Sequence, residues 1–171
     1  MHGYQLRQEF EASTGSTWPL NVGQVYTTLA RLERDELIEA TEDGDESQRV
    51  YAITAAGRAE VRAWFTTPVS HSSPPRDELA IKLALAVHVS DVDVRAVIQA
   101  QRTATVRALQ DYTRAREAAK DDLSWLLVAD SLIFAAEAEV RWLDHCETRL
   151  ARAAVPKREP AAAPLPKGAK R

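Results

Sequence analysis

A single cysteine, Cys146, is present in 171 residues. An intramolecular disulfide is therefore excluded, and no Cys/His cluster has the spacing of a zinc site. No run of eighteen apolar residues occurs, which excludes an ordinary transmembrane helix. The N-terminus lacks the basic, then apolar, then small-residue order of a signal peptide, so a cytoplasmic chain with no membrane partner is expected. The four histidines, His2, His71, His88 and His145, are scattered and none has a neighbour at ligand spacing. His145 adjoins Cys146, but successive residues of a helix point in different directions and adjacency makes no nucleophile–base pair. There is no glycine-rich phosphate loop. No catalytic residue, metal or cofactor is expected, and Cys146 reads as a small buried hydrophobe or a redox-sensing thiol.

Against these absences, 45% hydrophobic and 27% charged residues are normal for a folded chain with a real core. The net charge of −3 is unevenly spread. Residues 1 to 67 carry six basic and eleven acidic groups, residues 68 to 154 eleven and thirteen, and residues 155 to 171 five and one. On charge alone the acidic first segment counts against nucleic-acid binding, since phosphate neutralisation supplies most non-specific affinity.

Punctuation gives the organisation. "GYQLRQEFEAS" reads as a helix with Leu6 and Phe10 on one face, ended by "TGSTWPL" with Gly15 and Pro19. In "NVGQVYTTLARLERDELI", residues 21 to 38, Val22, Val25, Leu29 and Leu32 fall at helical spacing on one side. The opposite side carries Gln24, Thr27, Thr28 and Arg31, a hydrogen-bonding stripe where an ordinary solvated face would carry Glu and Lys. "LIEAT" and "RVYAI" are β-prone runs around "EDGDESQ", whose Asp43-Gly44 signals a hairpin turn. Thr54 is a candidate N-cap for "AAGRAEVRAWFTT", with Val61, Trp64 and Phe65 expected to face inward and Trp18 and Trp64 to plug the core.

"TPVSHSSPPR" reads as a linker. "DELAIKLALAVHV" is apolar on nearly every side and is expected to be a buried helix. Ser90 or Asp91 is a candidate cap for a helix from about Asp93 to Ala119, with Val97, Val106 and Leu109 inward. A last helix runs from about Asp122 to Ala153, with Leu126, Ala129, Ile133, Ala136, Val140, Leu143 and Leu150 forming a seam interrupted at Glu147. Trp125, Leu132, Trp142 and Cys146 lie beside it, and a face this wide suggests a self-paired dimer. The tail, residues 155 to 171, is basic, Pro/Ala-rich and expected to be disordered.

The segments "HGYQL" (2 to 6), Trp18, "VYTTLARLERDELI" (25 to 38), "RVYAITAAGR" (49 to 58) and "RDELAIKLALA" (76 to 86) resemble the PadR family of transcriptional regulators. The resemblance implies a mainly α fold: an N-terminal winged helix-turn-helix with a two-stranded wing, then a helical dimerisation domain with a long C-terminal helix. The expected division is 1–67 for DNA binding, 68–76 linker, 77–154 dimerisation and 155–171 tail. It implies a homodimer through the C-terminal helices, a double-stranded DNA partner, and a repressor of an inverted-repeat operator. The helix at 21–35 would read the major groove with Asn21, Gln24, Thr27, Thr28 and Arg31, residue types suited to adenine, guanine and the thymine methyl. Tyr4 would contact phosphate, and Arg49 would be the only basic residue of the wing.

Regulators resembling this one often respond to small aromatic or planar molecules, or to no known ligand at all. Trp125 and Trp142 are read either as core or interface residues or as a platform for such a ligand. Three departures stand out. The family has a further helix before "HGY", so either the start lies upstream of Met1 or DNA binding is weakened, leaving a dimeric protein-interaction module. Glu36 stands where the family prefers Gly, at a left-handed cap. The wing loop is acidic and should hold away from phosphate.

Overall fold

A computed structural model of the chain describes residues 1–41, 49–70, 75–119 and 121–154. Its elements are α1 (Gly3–Ser13), α2 (Val22–Arg34), β1 (Ile38–Ala40), β2 (Tyr51–Ile53), α3 (Ala55–Thr66), α4 (Glu78–Ala86), α5 (Val94–Ala118) and α6 (Leu123–Ala154). The fold is mainly α: a winged helix-turn-helix with a two-stranded wing, followed by a helical part with a long last helix. The Asp43-Gly44 turn with its acidic loop, residues 71–74 and the basic tail lie outside the described residues.

Each element of the first part starts and stops on a local hydrogen bond. His2 caps α1, its Nδ1 accepting from the Gln5 N–H at 3.3 Å while Gln5 Oε1 accepts from the His2 N–H at 3.2 Å. Asn21 caps α2 by accepting from the Gly23 N–H at 2.8 Å. Between them the chain reverses through Gly15 and Ser16, both at φ 56°. Glu11 ties this turn to α1, accepting from Arg7 Nε at 2.8 Å and from the Leu20 N–H at 3.2 Å. The Arg7 hydrogen bond holds the Glu11 carboxyl below its ordinary range, the Leu20 N–H adds to the effect, and burial opposes both.

After α2, Glu36 takes a left-handed conformation, φ 57°, at the position where the family resemblance implies glycine. The chain then enters an antiparallel hairpin in which Ile38 faces Ile53, Glu39 faces Ala52 and Ala40 faces Tyr51. Met1 pairs with the outer edge of β2, donating to the Tyr51 carbonyl at 3.0 Å and accepting from its N–H at 2.9 Å. Thr54 caps α3 through the Gly57 N–H at 3.0 Å. Its own hydroxyl donates towards the Leu37 carbonyl at 3.0 Å. Gly57 packs on that same carbonyl, where a Cβ would lie 2.0 Å from the oxygen, so only glycine lets α3 start there.

The second part is built on α5 and α6. Rising residue numbers on α5 meet falling numbers on α6, in Gln99–Glu147 (3.0 Å), Arg102–Asp144 (2.8 Å), Gln101–Glu139 (2.9 Å) and Arg116–Asp130 (3.2 Å). The pair is therefore antiparallel. Ile98 and Leu143 are fully buried and join Leu83 of α4 in the core, with Leu79, Val94, Val97 and Leu150 around them.

Packing and capping refine the sequence expectation at several places. Within the chain α5 packs along the α6 seam, where Ala129, Ile133, Ala136 and Leu143 are buried. A short connection lets α5 reach it at little loop-closure cost. Asp93, not Ser90 or Asp91, caps α5, accepting from the Arg95 and Ala96 N–H groups at 2.9 and 3.2 Å. Val106, expected inward on that helix, is exposed, lying away from the face that meets α6. Helix α4 buries Leu83 and Ala86 but leaves Ile81 and Leu85 exposed, because its neighbours lie on one side only. Val61, Trp64 and Phe65 are 43%, 70% and 75% exposed, and Trp18 is 53% exposed, so none of them plugs the core. Helix α3 is anchored at its N-terminal end, and at its far end Trp64 and Phe65 pack edge-to-face on each other with ring centroids 4.8 Å apart.

The left-handed Glu36 makes a direct prediction. Glu36→Gly removes the Cβ clash of that conformation and should stabilise the fold by about 1 kcal/mol, read as a higher midpoint in urea with an unchanged slope.

Candidate nucleic-acid interface

The helix that presents the polar stripe is held by close packing on α1. Leu29 is buried at their contact, and Gly3 lies beneath the Tyr26 ring, where a Cβ would be 2.9 Å from Tyr26 Cε1 and 3.2 Å from Leu29 Cδ1. The glycine of "HGY" is thus the residue that lets the two helices approach. Val22, grouped with the apolar side by its spacing, is exposed at the start of the helix.

The structure leaves Gln24, Thr27, Thr28 and Arg31 exposed on α2. They do not form one uniform crest. Gln24 and Thr28 line a shallow hollow of about 290 Å³ between α1 and α2, above Leu6, Leu20 and Leu32. Thr27 donates its hydroxyl to the Gly23 carbonyl at 2.8 Å, so its methyl and remaining lone pairs are what it offers outward. Asn21 spends its side-chain oxygen on the cap of α2. Tyr4, in the first turn of α1, is 52% exposed.

The cations divide into engaged and free. Arg7 pairs with Glu11 and Arg34 with Asp35. Arg58 donates to the Ile53 carbonyl at 2.8 Å. Arg31 makes no side-chain hydrogen bond or ion pair among the described residues. Arg49 pairs with Glu33 at 2.9 Å and stands 5.8 Å from the centre of the Tyr51 ring. The Arg49–Glu33 pair was not legible in the sequence: the partners are sixteen residues apart and meet only because the hairpin folds back beside α2. Both side chains are partly exposed, and such a pair is worth about 0–1 kcal/mol, so a phosphate could draw Arg49 away from Glu33 at small cost.

The two tryptophans singled out on α6 are placed separately. At 1.5 Å per residue their seventeen-residue spacing is about 25 Å along the helix. Trp125 lies against the turn after α1, where a Cβ on Gly15 would be 2.3 Å from Trp125 Cε3. Trp142 packs on the Leu83–Ile98–Leu143 core. Trp125 is therefore one side chain through which the long helix touches the winged helix, a role that periodicity does not reveal. Among the described residues no group of three His, Cys, Asp or Glu could hold a metal ion, and no helix is long and apolar enough to cross a membrane.

Comparisons with known proteins agree with this geometry. A model of the transcriptional regulator PadR-like family matches residues 1–63, and a second, virulence activator alpha C-term, matches residues 75–151. The probable transcriptional regulator Rv1176c of Mycobacterium tuberculosis is 31% identical over 163 residues, which is 84% of this chain and 86% of the relative. The fold is similar to that of the Vibrio cholerae virulence activator AphA, with TM-score 0.65 and 25% identity over 89% of this chain and 90% of that one. It is also similar to Bacillus subtilis PadR in complex with operator DNA, with TM-score 0.66 and 21% identity over 89% and 90% of the two chains. The same protein in complex with p-coumaric acid gives TM-score 0.72 and 18% identity over 88% and 90%.

The contact of Trp125 with the turn predicts the effect of filling it. Gly15→Ala places a Cβ inside the indole contact at a positive φ and should cost about 2 kcal/mol, measured by thermal unfolding against the wild-type chain.

Proposed function

This chain belongs to the PadR-like family of transcriptional regulators, and from that premise we infer that it is a homodimeric, sequence-specific DNA-binding repressor that reads an inverted-repeat operator with α2. Its relatives are regulators, not enzymes. The observation that carries the reading is the exposed stripe Gln24, Thr27, Thr28 and Arg31, with Arg31 free of any acidic partner among the described residues while Arg34 beside it is paired. Gln and Arg are the side chains that bind adenine and guanine edges bidentately. Arg49, once drawn from Glu33, and Tyr4 would hold the flanking backbone.

The chain divides in this reading into a DNA-binding part at 1–67, a linker at 68–76, a dimerisation part at 77–154 and a tail at 155–171. Residues 68–70 and 75–77 carry neither helix nor strand, in keeping with a linker. With the α6 seam covered by α5, the dimer surface moves to the side of α6 that bears Leu123, Leu127 and Phe134, all about two-thirds exposed. Ile81 and Leu85 of α4 extend the apolar surface available to a partner. Apolar side chains of this size left in water mark an association site, and a two-fold dimer would set the half-sites about 34 Å apart. A small aromatic effector would change the angle between the two winged helices, with Trp125 on Gly15 as the physical link. A regulator of this kind works in the cytoplasm.

One observation favours a second reading, a dimeric interaction module with weak DNA affinity. The winged helix carries eleven acidic groups against six basic ones, and several of those basic groups are engaged within the protein. Fluorescence anisotropy with DNA from its own promoter, in the presence of unrelated competitor, separates the two. The repressor reading expects saturable binding that weakens by about 1–3 kcal/mol in Gln24→Ala and again in Arg31→Ala. Affinity equal to that for unrelated DNA, unchanged by both substitutions, would leave the interaction module. For the dimer, Phe134→Glu should shift the sedimenting species from two chains to one while the helical circular dichroism stays as in the wild type.

A further inference from the structure

Where α4 crosses the ends of α5 and α6, the structure opens a groove of about 600 Å³. Its walls are almost wholly apolar, with Leu83 from α4, Ile98 from α5, and Trp142 and Cys146 from α6. Along α6 the lining runs from Trp142 to Ala153, about 16 Å at 1.5 Å per residue. One charged side chain stands in it, Arg149.

Arg149 is positioned but not neutralised. Its Nε donates to His145 Nε2 at 2.8 Å, which fixes the guanidinium, and among the described residues no carboxylate pairs with it. The carboxylates nearest in sequence are committed elsewhere. Asp144 pairs with Arg102 at 2.8 Å, and Glu147 accepts from Gln99 at 3.0 Å. The groove is therefore complementary to a length of apolar chain that carries one carboxylate.

Such a segment follows α6 directly. Ala153 lines the end of the groove, and soon after it comes Glu159, the one acidic side chain in residues 155 to 171. Next is "PAAAPLP", residues 160 to 166, uncharged and built from Pro, Ala and a single Leu. Its prolines have φ already fixed and favour the polyproline II helix, which needs no hydrogen-bonded neighbour and docks on aromatic-lined grooves at low entropic cost.

The lengths agree. Arg149 lies about 7 Å back along the helix from Ala154, and the five residues from Ala154 to Glu159 reach up to about 17 Å, enough to turn at Pro156 and return. Residues 160 to 164 then cover about 15 Å at 3.1 Å per residue, against about 10 Å from Arg149 to Trp142.

We propose that residues 159 to 165 fold back into this groove, with Glu159 pairing with Arg149 and the Pro/Ala run lying over Cys146 and Trp142. The chain's own tail then closes the groove to a second copy and leaves association to the side of α6 that bears Leu123, Leu127 and Phe134. The seating uses no feature of the winged helix, so it stands or falls apart from DNA binding.

Cys146 is the only cysteine, partly exposed in the groove wall, and it reports where the tail lies. A second cysteine is placed in the full chain by Ala161→Cys, level with Cys146 in the docked run, or by Ala169→Cys, beyond it. Oxidised glutathione takes up the two electrons and two protons as the thiols join, and non-reducing electrophoresis with peptide mass separates bonds within a chain from bonds between chains. Loop length alone, 15 against 23 residues, favours the nearer position about twofold. The expected result is a bond within the chain that forms at least tenfold faster in Ala161→Cys than in Ala169→Cys. Adding Glu159→Gln or Arg149→Gln should return the ratio to about twofold, and the exchange Arg149→Glu with Glu159→Arg should restore it. Circular dichroism and melting of each variant establish that the fold is kept.

A ratio of about twofold that neither substitution changes overturns the proposal. Bonds that join two chains also overturn it, because the groove would then hold the tail of a second copy. So does failure of both cysteines to bond while Cys146 resists N-ethylmaleimide, since another surface would then cover it. A tenfold ratio indifferent to Glu159→Gln and Arg149→Gln overturns the ion pair and upholds the docked run.

Discussion

The antiparallel pairing of α5 and α6 is the contact on which the rest of the second part depends. Its centre is built from small residues on α6, Ala129 and Ala136, which let the helix axes approach, and from Ile98 and Leu143, which fill the remaining space and are almost wholly removed from water. Burial of such a side chain is worth about 1.5–3 kcal/mol each. One polar group is carried into this interface. Thr105 is buried, its hydroxyl lies within hydrogen-bonding distance of both the Gln101 carbonyl and the Glu139 carboxylate and donates its one proton between them, and the carboxylate also accepts from the Gln101 side chain. No buried side-chain nitrogen or oxygen among the described residues lacks a partner, so the polar inclusion fixes register without leaving an orphaned group. Helix α4, its groove and the place of Trp125 all follow from this pair.

The winged helix is assembled on a different economy. Its helices are short, its hydrophobic contacts few, and its geometry is set by places where a side chain must be absent or a carbonyl must be met. Gly3 admits the Tyr26 ring, Gly57 admits the Leu37 carbonyl, and Thr54 closes that carbonyl with its hydroxyl. Much apolar surface is left over: Trp18, Val61, Trp64 and Phe65 stand in water in the single chain. Such surface is a liability for an isolated monomer and is consistent with a protein that works in association.

In the proposed reading, the electrostatics of α2 favour placement over strength. With acidic groups in excess, a polyelectrolyte attraction cannot supply the affinity, and what remains is the geometry of a few groups. Arg31 stands free among the described residues, Arg34 and Arg49 are held by acids, and Thr27 is turned back on its own helix. Under that proposal the interface would discriminate by hydrogen-bond pattern and by which pairs a phosphate can exchange, because the surface pairs themselves hold little energy.

Helix spacing, caps and turn chemistry are local, and the sequence determined them. The six helices, the hairpin from 38 to 53 and the cap Thr54 could be read from neighbours within a few positions, whereas the left-handed residue at 36 was expected from the family resemblance and the cap role of Asn21 was not read at all. Burial is a relation between distant segments, and only the tertiary structure decided it. Part of the α6 seam is a buried stripe, and within the chain the helix packed along α6 is α5. Trp64 and Phe65 sit on a helix with apolar spacing, yet no other element among the described residues buries them. The apolar residues of α4 alternate between core and solvent because helices lie on one side of it alone. The candidate site divides along the same line. The stripe Gln24, Thr27, Thr28 and Arg31 was visible because periodicity fixes which residues share a face. The capture of Arg49 by Glu33, the seat of Trp125 on Gly15 and the unpaired Arg149 in its groove were not, because each depends on where a remote backbone comes to rest.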